Sequence, residues 1–183
     1  VNIFVLDENP KIAAQMMCDK HVVKMIVESG QMLSTVWRVL DGTQYIELSA
    51  NNRRIKRWKL PYTSFEKLLY KASFVGHPCT QWAMKNDKNY YWLVNHALEL
   101  CKEYTRRYGK MHKAEDMITQ MLYRKPRNIK NANSITPFAQ AMPDEYKNES
   151  AVEAYRAYYL GEKTYFAEWK NTETPSWYKE ALV

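Results

Sequence analysis

The stretch from Cys18 to Gln31 carries side chains whose types and spacing suit proton transfer or phosphate binding. On a helix, Val22, Ile26, Leu33, Val36 and Leu40 recur at the spacing of an apolar face, while His21, Lys24, Glu28, Gln31 and Thr35 recur on another. The second row sets an imidazole between two ammonium groups, Lys20 and Lys24, with the carboxylates Asp19 and Glu28 close in sequence. Histidine titrates nearer neutrality than any other side chain, so such a row could move a proton while its lysines hold phosphate. A solvated helix face has the same periodicity, and periodicity alone leaves the two readings open.

The remaining histidines have plainer readings beside the chemical ones. His77 precedes Pro78, where an imidazole caps the next helix or bonds backbone. His96 sits inside an apolar helical pattern with Leu93 and Leu100 and reads as a core histidine. His112 follows Arg106-Arg107-Tyr108-Gly109-Lys110, a cluster that suits phosphate and that a solvated helix end explains equally well. No two histidines stand four residues apart as in a helical zinc motif, and neither a phosphate-cradling glycine loop nor a Gly-x-Ser-x-Gly elbow is present. We therefore expect no metal and no cofactor. Near the end, Pro175-Ser176-Trp177-Tyr178-Lys179 sets two exposed-looking aromatics beside a cation.

The elements that must position these groups read as mainly α. In 183 residues, 46% hydrophobic and 14% aromatic content argues against disorder, and only five glycines favour long regular elements in one domain, residues 1–183. Val1 to Leu6 reads as a short extended segment docked into the fold. Asn9 and Pro10 open a helix that either continues into or abuts a second one reaching about Leu40, weakly interrupted by Gly30. Thr43 to Leu48 and Arg54 to Leu60 resemble a small β-hairpin (43–60), whose second strand carries Arg53, Arg54, Lys56, Arg57 and Lys59, a strip suited to a phosphate backbone. Further helices are expected over Tyr62 to Phe74, from Pro78, from Asp87 to Tyr108 with Gly109 as its stop, over Lys113 to Tyr123 and over Ser150 to Lys170.

A net charge of +7 favours a polyanionic partner such as nucleic acid. Three widely spaced cysteines form neither a disulfide framework nor a zinc signature and point to a reducing, cytoplasmic setting. No apolar run approaches the roughly 18 residues of a membrane span, and the first residues lack the pattern of a signal peptide, so no membrane association is expected.

Several landmarks then fall in one order. They are the apolar start Val1 to Leu6, then Asp19-Lys20-His21-Val22-Val23-Lys24, then Gly76-His77-Pro78 ahead of a long helix, then Met142 to Asn148, then Pro175 to Lys179. In that order, over nearly the whole length, the chain resembles a distant member of the phage-type endonuclease V family, the pyrimidine-dimer DNA glycosylases with an associated abasic-site lyase. The resemblance implies a compact helical domain that acts as a monomer on damaged double-stranded DNA without metal or cofactor.

It also implies a mechanism. In that family the α-amine of the processed N-terminus attacks the sugar C1′ and forms a Schiff base, which permits loss of the base and strand cleavage by β-elimination. An α-amine suits this role because its ordinary pKa, about 7.7 to 8.0, leaves a nucleophilic fraction at neutral pH. Val1 holds that place, or a Met if the natural chain starts at a non-standard codon. The family's glutamate on its first helix aligns with His21, as general acid or base, supported by Asp19 or by the negative charge of Glu28. Lys20 and Lys24 take the places of phosphate-binding arginines, Trp177 and Tyr178 those of wedge residues, and His77, Arg107, Lys110 and Lys179 complete the DNA-contacting set.

Two rival functions stay open. One is a non-catalytic nucleic-acid-binding protein of the same fold, and the other a nucleotide- or modified-base-processing enzyme using His21, Lys24, His77 and His112.

Overall fold

The computed structural model describes residues 1–183. Asn9 opens the first helix, α1 (Pro10–Met16), by accepting from the N–H groups of Lys11 and Ile12 at 2.9 and 3.2 Å. It abuts α2 (Asp19–Asp41) rather than continuing into it. The break is held open because side chains capture the carbonyls that end α1. Arg107 donates to Gln15 and Met17 at 3.0 and 2.8 Å, and the Trp169 indole donates to Met16 at 2.9 Å.

The apolar row of α2 is buried as its spacing requires, with Val22, Ile26, Leu33 and Val36 all at 0% exposure. It packs against α5 (Asp87–Tyr108), the other long helix. Gly30 marks a close approach rather than a weakness, since a Cβ there would stand 2.9 Å from the Met117 methyl and 3.1 Å from the Tyr70 ring. Met117 belongs to α6 (Glu115–Leu122), which closes the far side of this layer. The core cluster of 34 buried hydrophobic residues extends from Ile3 to Tyr159 and so ties both ends of the chain to α2 and α5.

Beyond α2 the chain forms the expected hairpin, β1 (Thr43–Leu48) and β2 (Arg54–Lys59), antiparallel with Thr43 opposite Lys59 and Leu48 opposite Arg54. The next helix, α3 (Thr63–Leu68), stops well short of the expected Phe74. The buried Arg38 guanidinium explains this, because it takes the carbonyls of Glu66, Leu69 and Tyr70, along with that of Trp58 and the Glu66 carboxylate. The chain then runs irregularly along α2, where the Thr35 hydroxyl donates to the Ser73 carbonyl at 2.8 Å and accepts from the Ser73 N–H at 3.0 Å.

His77 ends that irregular segment as the cap of α4 (Pro78–Lys85), its Nδ1 accepting from the Cys79 N–H at 3.1 Å. Asn86, not Asp87, caps α5, while Gly109 stops it at φ +70°, the left-handed turn that suits glycine. Asp87 instead pairs with Lys125 at 3.0 Å and accepts from the Ala132 N–H at 2.9 Å. A 3-10 turn, Asp144–Tyr146, precedes α7 (Ala151–Glu162), and α8 (Ser176–Ala181) ends the fold. The sequence extends α7 to Lys170, but residues 163–170 leave the helix to dock on the start of α2. There the Asp19 N–H donates to the Glu168 carbonyl at 2.8 Å, and the Lys170 N–H donates to the Asp19 carboxylate at 2.9 Å. No helix is long and apolar enough to cross a membrane.

Candidate active site

Asn2 pins the start of the chain. Asn2 is 7% exposed, its Oδ1 accepts from the N–H groups of Ile3 and Phe4 at 2.7 and 3.3 Å, and its amide donates to the Ala141 carbonyl at 2.7 Å. Phe4 is thereby held at φ +55°, a region bulky residues rarely enter, and its ring stacks on His21 at 4.1 Å. The result fixes the direction in which Val1 leaves the core.

The α-amine of Val1 stands 3.7 Å from Oε1 of Glu28, with the Val1 side chain 1% and the Glu28 side chain 15% exposed. The second oxygen, Oε2, is buried and has no hydrogen-bond partner. A half-satisfied carboxylate beside an amine is costly to keep in a purely structural role and is the kind of feature that sites retain. His77 completes the group. Burial lowers the pKa of its imidazole, the Val1 ammonium lowers it further, and the Glu28 carboxylate opposes the shift. Cys79, nearby, is not a competing nucleophile, since burial pushes its thiol up to about 11.

The structure corrects the expected role of His21. The ring is 4% exposed, shares a 2.5 Å hydrogen bond at Nδ1 with the Tyr159 hydroxyl, and lies between Phe4 and Phe166. Burial first, then the charges of Lys163, Lys24 and Lys20, bring its pKa down to about 3. A ring so placed is held neutral by burial, so it is not a cationic acid, and it packs the N-terminal segment against α2. The group that meets the amine is Glu28, two turns further along the same row.

Asp19 is likewise occupied, in a buried pair with Arg107 at 3.1 Å, and this overturns the reading of Arg107 as a DNA contact. The Arg107 side chain is 0% exposed and also binds Glu103 at 3.1 Å and the carbonyls of Gln15 and Met17. Tyr178 is no exposed wedge either. It is 6% exposed and packs on Trp169 at 4.6 Å, while Trp177 is half-buried against Tyr159 and Arg156. Lys20, Lys24, Lys110 and Lys179 are exposed, Lys20 with its ammonium 4.7 Å above the Phe166 ring and Lys179 facing Glu173 at 3.8 Å.

The histidines of the nucleotide-enzyme reading have separate surroundings. His21 is enclosed with Tyr159, His77 neighbours Val1 and Glu28, and His112 caps the start of α6 with its ring against Tyr104 at 5.1 Å. No group of three or more His, Cys, Asp or Glu side chains is placed to hold a metal ion.

Two features near the site escaped the sequence reading. Phe74 lies in the segment leading to His77, is 49% exposed and has φ +53°, a strained backbone that no composition or periodicity signals. Lys163, just past α7, stands 4.7 Å over Tyr158 and 5.9 Å over Phe4. Beside His77, a groove of about 700 Å³ runs along the outer face of α4, lined by Pro78, Gln81, Lys85, Lys130 and Ala139.

The N-terminal segment thus packs against α2 beside Glu28, on a helix that also carries Lys20 and Lys24. The family model described as pyrimidine dimer DNA glycosylase matches residues 1–116, and the chain belongs to that family. The matched part holds Val1, Glu28, Lys20, Lys24 and His77, while the landmarks at Met142 to Asn148 and Pro175 to Lys179 lie beyond it. No curated protein and no solved structure matches the chain.

Proposed function

We propose that this protein excises the damaged base at a pyrimidine dimer in duplex DNA and then nicks the strand, with the α-amine of Val1 as nucleophile. The observation that carries this reading is the 3.7 Å approach of that amine to Glu28. The amine, once deprotonated, bonds to C1′ as the glycosidic bond breaks and the departing base takes a proton. Ring opening gives an imine, loss of the 2′ proton follows, and the 3′ phosphate leaves.

Glu28 has two uses in that sequence. Its negative charge stabilises the positive charge that develops at C1′, and its unpartnered Oε2 is free to accept a proton from the amine or the sugar. Lys20 and Lys24 hold phosphates on either side of the sugar. Phe74 is the exposed aromatic in the segment ending at His77 and is the residue we assign to wedging the base stack, in place of Tyr178.

The reading requires a mature chain that begins at Val1 with an unblocked amine, which the intact mass of the natural protein reports. Its direct assay is a duplex bearing a single cyclobutane dimer. Strand breakage at the dimer, leaving an unsaturated aldehyde at the 3′ end of the upstream fragment and a phosphate at the 5′ end of the downstream one, is expected. Intact dimer-containing strands after incubation with folded protein would overturn it.

A further inference from the structure

The hairpin β1–β2 is the main solvent-facing element that this chemistry leaves unused. On one of its faces Arg57 bonds Glu47 at 3.0 Å and the Ala72 carbonyl at 2.6 Å, and Lys71 reaches the same Glu47 at 3.1 Å. This face is therefore spent on docking to the segment that runs along α2. The other face has no partner. There Arg54 stands opposite Leu48 and Lys56 opposite Ile46, all four are exposed, and neither cation pairs with a carboxylate.

The docked face also fixes where the hairpin stands along the molecule. Thr35 belongs to the row that carries Lys24 and Glu28, it is bonded to Ser73, and the adjoining Ala72 is bonded to Arg57. The same segment ends at His77 beside Val1 and Glu28. The row of α2 thus continues through residues 72–77 into the hairpin. Glu28 and the end of α2 at Asp41 are separated by roughly 20 Å at 1.5 Å per residue. On B-DNA that span is about six base pairs.

We propose that the free face of the hairpin is a second contact on duplex DNA, with Arg54 and Lys56 on the phosphate backbone about six base pairs from the nucleotide that meets Val1. Charge decides the occupant. Five cations, Arg53, Arg54, Lys56, Arg57 and Lys59, stand on or beside β2 against the single carboxylate Glu47 between the strands, which Arg57 and Lys71 already neutralise. Ile46 and Leu48, 42% and 62% exposed, lie between the two free cations and the strand edge, where they would rest on sugars. The proposal rests on the reading that the Val1–Glu28 site acts on duplex DNA.

The test compares the wild-type protein with an Arg54→Ala/Lys56→Ala variant, whose fold is checked by thermal unfolding. Affinity is titrated over a range of salt concentrations on duplexes of about 25 and about nine base pairs, each with a central abasic-site analogue, and on an undamaged long duplex. On the long duplexes the variant is expected to bind at least about fivefold more weakly, with a log–log salt slope shallower by about 1.8, the release expected for two phosphates. On the short duplex, which ends before the hairpin, the two proteins are expected to bind alike. Equal slopes on the long duplex, or the same loss on both lengths, would overturn the hairpin contact, as would a face that proves to bind protein and leaves DNA affinity unchanged. Failure of the repair reading looks different: the wild-type protein would show no preference for the lesion, while the slope difference on undamaged long duplex would persist.

Discussion

The amine of Val1 and the carboxylate of Glu28 meet at 3.7 Å, although one ends an extended segment and the other lies midway along α2. The contact is long for a hydrogen bond and leaves Oε2 without a partner. It holds the two groups together without committing either, and in the proposed reaction a sugar carbon brought up beside the pair meets the amine with the negative charge close by.

Glu28→Gln keeps the shape and removes the charge. Single-turnover excision on a dimer-containing duplex is expected to slow by about 10²–10⁴-fold, the range for losing a positioned acid or base. Thermal unfolding of the variant checks that any loss of excision is not a loss of fold. Unchanged excision by Glu28→Gln would remove the carboxylate from the mechanism.

Lys24 lies one turn before Glu28 on the exposed part of the same row. Lys24→Ala should weaken binding to damaged and undamaged duplex by a similar factor and reduce the log–log salt slope by about 0.9, one phosphate contact. Binding titrations at several salt concentrations read both quantities, and a slope equal to that of the wild type would place Lys24 off the backbone.

Arg107→Ala should do the reverse. Its guanidinium is enclosed with Asp19, Glu103 and the carbonyls that end α1, so truncation leaves the buried Asp19 without its cation and those carbonyls without their donor, while Glu103 keeps Arg106. A loss of about 3–5 kcal/mol in denaturant unfolding is expected, with the salt dependence of DNA binding unaltered. A variant of near-normal stability with a shallower slope would restore Arg107 to the DNA contacts.

These contrasts show which parts of the molecule local sequence carries. The split of α2 into an apolar face and an ionisable row was legible, as were the hairpin, the His77 cap and the Gly109 stop, because each is set by spacing or by one residue's backbone preference. Which member of the row meets the amine was not. That depends on Asn2 reaching Ala141 and on Phe4 turning into a left-handed conformation to stack on His21, contacts between distant parts of the chain. The family match over residues 1–116 agrees with the resemblance read from the N-terminal landmarks. Glu103 and Arg107 likewise look like an ordinary surface pair one turn apart, and only the carbonyls of α1 folded over them make them interior. The ends of α3 and α7 were overestimated for the same reason: Arg38 and Asp19 draw backbone groups away from helical partners.

Burial of His21 and His96 makes stability depend on pH. Their pKa values fall to about 3 and about 4, in each case mainly through burial, from an unfolded value of 6.5. Below 6.5 the unfolded chain binds protons that the native rings refuse, so the stabilisation is complete above that pH. It is lost as pH falls toward 4 and 3, each ring contributing a slope of about 1.4 kcal/mol per pH unit. Replacing His21 with Asn, which keeps a hydrogen-bonding atom for Tyr159, should flatten the unfolding free energy between pH 6 and 4 by about one such slope. An undiminished slope in that variant would mean that other groups govern acid unfolding.

The most direct measurement of the central claim is covalent capture. The protein is mixed with duplex DNA carrying an abasic site or a cyclobutane dimer, borohydride is added, and the adduct is digested and mapped by mass spectrometry. The expected result is a single reduced linkage between the sugar and the α-nitrogen of Val1, absent when that amine is acetylated beforehand. An adduct on a lysine side chain, or none with folded protein, would contradict the assignment of Val1 as the nucleophile.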